Sequence, residues 1–200
     1  MPILPQQPDI FPANLLDDWQ IDSGQSELGL AGSSLTIPTG AGWVAFYTIS
    51  RREKDLMRKL QAATIPFYAP LIKRRLHSSG GRTRISHVPL FPGYVFSLVD
   101  DDQRRAALTT NTIARWLPIP DQAPLLADLR AIQRLIATDQ PLTPEARLEP
   151  GHKVRVRSGA LCGLEGTVVK RHGEQRLVVA VRFLNQGVSI EVEDVDLERL

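Results

Sequence analysis

Cysteine is nearly absent from this 200-residue chain, which holds one, Cys162. An internal disulfide is therefore excluded, and so is a Cys-x-x-Cys zinc site. Long apolar runs are also missing. None approaches the roughly 18–20 residues of a spanning helix, so no membrane association is expected. The amino terminus has no basic stretch leading into an apolar core, which argues against a secretory signal. The expected location is cytoplasmic. The histidines (His77, His87, His152 and His172) lack metal-ligand spacing. Neither a Walker or Rossmann phosphate loop nor a Gly-x-Ser-x-Gly elbow occurs. No enzyme activity, cofactor or metal is expected. Cys162 reads as a small, half-buried turn residue, and Asp100 to Asp102 as a helix start rather than a cation site.

Positive charge is missing from one end of the chain. Residues 1–40 carry five acids and no Lys or Arg. They are rich in Pro, Gly and Ser without a sustained apolar period, and read as a disordered acidic tail. Residues 41–90 reverse this balance, with ten basic residues against two acids. Such a local excess suits either a polyanion partner or a solubilising face, and charge alone favours neither.

Alternation puts Trp43, Ala45, Tyr47 and Ile49 on one face of a strand. Ser50-x-x-Glu53 follows as a capping-box pattern, predicting a helix to about Ala63 with Leu56, Leu60 and Ala63 inward. Tyr68 to His77 and Arg82 to Val88 read as strands of a hairpin with a Ser-Ser-Gly-Gly tip. Tyr94 to Val99 is another strand, with Tyr94, Phe96 and Leu98 on one face. A short helix to Leu108 fits next. Pro124 then opens a helix with Leu125, Leu129, Ile132 and Ile136 on its apolar stripe. Residues 139–149 hold prolines and no clear period, as a linker would. Beyond them, closely spaced β-rich runs over 150–200 predict a small barrel. The fold class is α+β: an N-terminal antiparallel sheet flanked by helices over 41–138, a Pro-containing linker, and a C-terminal barrel. The aromatics Tyr47, Phe91, Tyr94 and Phe96 alternate as core residues usually do.

The order of these segments carries a resemblance. Trp43-Val44-Ala45-Phe46-Tyr47-Thr48, the Ser50-x-x-Glu53 start, the basic hairpin, Leu90-Phe91-Pro92-Gly93-Tyr94-Val95-Phe96 and Thr110-Asn111-Thr112-Ile113-Ala114-Arg115-Trp116 together resemble the N-terminal domain of the NusG family. Gly151 to Val156 and Gly159 to Val168 resemble the opening of a KOW domain, an SH3-like β-barrel. The resemblance spans residues 42–200. It implies a monomeric transcription elongation or antitermination factor. Tyr47, Phe91, Tyr94 and Phe96 would line a docking surface for the coiled coil of the RNA polymerase clamp. Arg51, Arg52, Lys54, Lys73, Arg74, Arg75, Arg82 and Arg84 would face upstream or non-template DNA. In the KOW domain, Leu161, Phe183 and Leu184 would meet a partner such as a ribosomal protein.

Departures narrow the expectation. Leu184-Asn185-Gln186 stands where general NusG proteins have a Phe-Gly-Arg-like turn, and is closer to RfaH-type paralogues. Ala160-Leu161 replaces Pro-Phe, and Thr112 replaces a glycine. Gln103-Arg104-Arg105-Ala106 replaces the polar His-Thr-rich stretch of RfaH. The many valines of the C-terminal segment favour a resting barrel over helices. A second reading is a KOW-containing RNA- or ribosome-binding protein. The near balance of charge over residues 139–200, nine basic against ten acidic, weighs against it.

Overall fold

The computed structural model describes residues 7–17, 27–28, 35–36, 40–77, 83–171, 174–192 and 197–200. The chain divides into two units, Met1–Gln122 and Ala123–Leu200.

The first unit contains β1 (Ile10–Phe11), β2 (Glu27–Leu28), β3 (Leu35–Thr36), β4 (Gly42–Thr48), α1 (Glu53–Ala62), β5 (Phe67–Tyr68), β6 (Leu71–His77), β7 (Thr83–Pro89), β8 (Tyr94–Val99), α2 (Asp101–Leu108) and β9 (Ile113–Pro118). Its main sheet runs β1-β5-β8-β4-β9 through antiparallel pairs. The alternation read from sequence sets its two faces. Val44 and Phe46 of β4 join Val95 and Val99 of β8 in a core completed by Leu56, Met57 and Leu60 of α1 and Ala107 of α2. On the opposite face Trp43 pairs with Leu98, Ala45 with Phe96 and Tyr47 with Tyr94. Met57 is buried, whereas Ala63 is exposed as the residue that ends α1.

The expected single strand from Tyr68 to His77 is two elements. Phe67–Tyr68 joins the main sheet, and Leu71–His77 pairs with β7 in a separate two-stranded ribbon. Pro70 lies between them, lacks an N–H for a ladder, and accepts from Leu90 N through its carbonyl.

The acidic tail is partly ordered, contrary to expectation. β1 pairs with β5, Phe11 stacks on Phe67, and Leu15 and Leu16 are fully buried. Apolar burial by these few residues offsets their ordering entropy. Within the tail, residues 1–6, 18–26, 29–34 and 37–39 lie outside the described residues, and β2 and β3 form a small pair.

Helix α2 begins with a capping box. Asp100 Oδ1 accepts from Gln103 N at 2.7 Å, and the Gln103 side chain returns to Asp100 N at 3.4 Å. Removing the Asp100 carboxylate orphans an N–H at the helix start. Asp100→Ala is therefore expected to lower the stability of the N-terminal unit by about 1 kcal/mol, measured by urea unfolding. An unchanged midpoint would show that the cap contributes nothing.

The second unit contains most of α3 (Gln122–Ala137), then β10 (Thr143–Glu145), β11 (His152–Val156), β12 (Glu165–Arg171), β13 (Glu174–Val181), a 3-10 turn at Arg182–Leu184, β14 (Gln186–Glu191) and β15 (Leu197–Arg199). Its six strands form one antiparallel sheet in the order β10-β14-β13-β12-β11-β15. The stretch expected as a linker supplies β10, where Ser189 Oγ donates to the buried Glu145 carboxylate at 2.6 Å. From Ala123 onward helix α3 clusters with the strands of the second unit. Asp128 of α3 accepts from Arg182 Nε, Nη2 and backbone N. A groove of about 600 Å³ lies between α3 and the sheet, lined in part by Ala131, Arg134, Leu164 and Val179. No helix among the described residues is long and apolar enough to cross a membrane.

Candidate functional site

Phe91-Pro92-Gly93-Tyr94 is a tight turn. Tyr94 N donates to Phe91 O at 3.1 Å, and Gly93 has φ +86°. Proline second and a positive-φ glycine third are what a type II turn requires. The turn is clamped from both sides. Gly93 N donates to Glu53 Oε1 at 2.7 Å, and Thr48 N donates to Gly93 O at 2.8 Å.

This explains why the expected capping box at Ser50 does not form. Arg51 takes φ +60°, α1 starts at Glu53 with Arg52 as its N-cap, and no side chain caps it. The Glu53 side chain is buried against the turn instead of folding back on the helix. The acid that signalled a helix start thus holds the segment that presents Tyr94.

The four aromatic candidates separate into two pairs. Phe91 and Phe96 are buried, 2% and 0% exposed, with their rings edge to face at 6.4 Å. They are core residues and offer no contact area. Tyr47 and Tyr94 are half-buried and lie opposite each other on β4 and β8. Their rings meet edge-on at 5.1 Å. The Gly93 backbone packs on Tyr47, and a Cβ there would come within 3.0 Å of the ring. Glycine is thus required both by its φ and by this close approach. Tyr47 also carries the Arg115 guanidinium 5.0 Å above its ring. The sequence reading did not single out Arg115. Its only signal is β9 register, which sets it opposite Tyr47.

The basic candidates are dispersed. Arg51 is exposed, and Arg52 pairs with Asp55 at 3.1 Å. Lys54 donates to the His87 carbonyl at 2.6 Å, tying α1 to the ribbon. Lys73 and Arg74 are exposed on β6. Arg82 and the side chains of Arg75 and Arg84 lie outside the described residues. Ile85, 57% exposed, adds an apolar patch to the ribbon. Of the replaced polar stretch, Arg104 covers Trp116 at 4.3 Å and pairs with Asp101, while Arg105 pairs with Asp102.

Beneath the arm that carries β1, Tyr68 Oη and His87 Nε2 are buried without hydrogen-bond partners. Burial pushes the Asp9 carboxyl up, against the opposing effects of backbone N–H groups and the nearby His87. Burial, with Asp9 close by, likewise raises the Tyr68 hydroxyl. Among the described residues no cluster of three His, Cys, Asp or Glu could hold a metal ion.

In the second unit Leu161 is buried, while Phe183 and Leu184 are half-buried at the 3-10 turn. Asn185 ends that turn at φ +52°, a left-handed conformation that asparagine tolerates well. Cys162 is exposed rather than half-buried, with Sγ directed to Arg157 O.

Residues 41–135 match the family model NusG, described as transcription termination factor nusG. The matched segment contains β4, the basic ribbon, the Phe91–Tyr94 turn and most of α3. Over these residues the chain is similar to the NusG family, transcription termination factors by that description.

Proposed function

We propose that this protein is an RNA polymerase-binding elongation and antitermination factor, nearer to the specialised RfaH-type paralogues than to general NusG. Its N-terminal domain docks on the coiled coil of the polymerase clamp and suppresses pausing or termination. The observation that carries this reading is the half-buried Tyr47–Tyr94 pair, braced by Glu53 and Gly93 within the NusG-matching segment. Such aromatics supply large contact area at small entropic cost, and two packed helices offer a surface to receive them. Phe91 and Phe96 support the pair from the core.

Lys73 and Arg74 on the ribbon, together with Arg51, act on phosphates of upstream or non-template DNA. That gives salt-dependent and largely sequence-blind affinity. The C-terminal sheet acts as an SH3-like KOW domain that recruits a partner, a ribosomal protein among the candidates, through Phe183 and Leu184. Leu184-Asn185-Gln186 supports the specialised assignment. Recruitment of Rho with stimulated termination in a purified system would refute that assignment. The protein acts in the cytoplasm as a monomer.

Tyr94→Ala is expected to weaken co-purification with RNA polymerase, with affinity falling on the order of tenfold or more, as for a truncated interface tyrosine. Its ring is not fully buried, so the variant folds. Unchanged affinity would remove the docking surface. The reading as an RNA- or ribosome-binding protein predicts that outcome, with tight RNA binding retained.

A further inference from the structure

Arg115 is the feature of this surface that the family-level reading leaves without a role. It is exposed on β9, directly opposite Tyr47 of β4. Its guanidinium sits 5.0 Å over the Tyr47 ring, which in turn meets Tyr94 edge-on. Tyr47 is packed on the Gly93 backbone, so the platform under the guanidinium is fixed. Among the described residues no carboxylate pairs with Arg115. Other arginines of the same unit do have acidic partners: Arg52 with Asp55, Arg104 with Asp101 and Arg105 with Asp102. The acid Glu53, close to the same turn, is committed to Gly93 N.

A guanidinium held by an aromatic ring keeps its edge donors available while part of its ordering entropy is already lost. We infer that Arg115 is a specificity-determining residue of the docking surface, receiving a carboxylate from an acidic helical surface of RNA polymerase beside the Tyr47–Tyr94 pair. This rests on the docking reading above and names the chemistry that the partner must present.

A nucleic-acid phosphate would also suit a guanidinium. A protein partner is favoured because the Tyr47 face under Arg115 is occupied. A base stacking there would have to displace the guanidinium, whereas a carboxylate binds at its free edge without disturbing the ring.

The test uses the full chain and core RNA polymerase free of nucleic acid, with affinity measured at low and at moderate salt. Arg115→Glu is expected to weaken binding on the order of tenfold at low salt and less as salt screens the pair. Arg115→Lys, which keeps the charge but loses the planar fork stacked on Tyr47, is expected to bind between the unchanged protein and Arg115→Glu. Thermal midpoints of both variants should match the unchanged protein, since the residue is exposed. If Arg115→Glu binds as tightly as the unchanged protein while Tyr94→Ala is weakened, the inference fails and the docking reading stands. If neither variant is weakened, both fail. If Arg115→Glu loses affinity for a single-stranded oligonucleotide but not for the polymerase, the residue is a phosphate contact and the inference is overturned.

Discussion

Phe96→Ala is expected to lower the stability of the N-terminal unit by about 3–5 kcal/mol, the usual cost of truncating a fully buried phenylalanine. Phe96 is 0% exposed on β8, inside the main sheet. Ala45 and Tyr68 lie opposite it on the flanking strands, and Phe91 meets it edge to face. Ala45 cannot fill the space a lost ring would leave, so the site should collapse poorly. Tyr94 sits two residues earlier on the same strand face, yet its ring reaches the surface. Tyr94→Ala should therefore cost much less stability while costing affinity. Tryptophan fluorescence during urea unfolding reads the difference cleanly, because Trp19, Trp43 and Trp116 all precede the second unit. A Phe96→Ala midpoint equal to that of Tyr94→Ala would contradict the division into core and surface rings.

Gly187→Ala is expected to destabilise the C-terminal unit by about 1–3 kcal/mol, as overpacking does. The added Cβ would lie 2.6 Å from Val179 O, a backbone atom of the neighbouring strand. Leu148 Cδ2, at 3.2 Å, could yield, but the Val179 carbonyl cannot move without disturbing the β13–β14 ladder. Gly166 faces the same constraint from Val178 O at 2.7 Å. No tryptophan or tyrosine lies beyond residue 122, so amide exchange in β13 and β14 is the suitable readout. Protection equal to that of the unchanged protein would mean the strands separate there at little cost.

Both predictions concern residues whose type was legible in sequence and whose surroundings were not. Asp100 illustrates the legible kind. Its capping box involves residues three apart, so local sequence contained the whole interaction. Ser50-x-x-Glu53 has the same local signature and failed. A competing donor, the Gly93 N–H forty residues away, captured the Glu53 carboxylate. Local patterns are reliable only where no distant donor or acceptor competes for the same group.

Domain boundaries followed the same division. Composition suggested a linker at residues 139–149, since two prolines and no apolar period give no local strand signal. Pairing with β14 and the bond from Ser189 to Glu145 made part of it a strand. Residues 1–40 looked too polar to order, but Phe11, Leu15 and Leu16 found apolar partners in the tertiary fold.

The sequence by itself determined β4, α1, β8 and α2 of the N-terminal unit and the β character of the C-terminal unit, because periodicity, proline and charge at helix starts act on the local backbone. Tertiary structure alone decided that Phe91 and Phe96 are core while Tyr47 and Tyr94 reach the surface, and that Arg115 caps Tyr47. Strand alternation gives a face but not its covering. Burial and register depend on which distant strands and side chains arrive there.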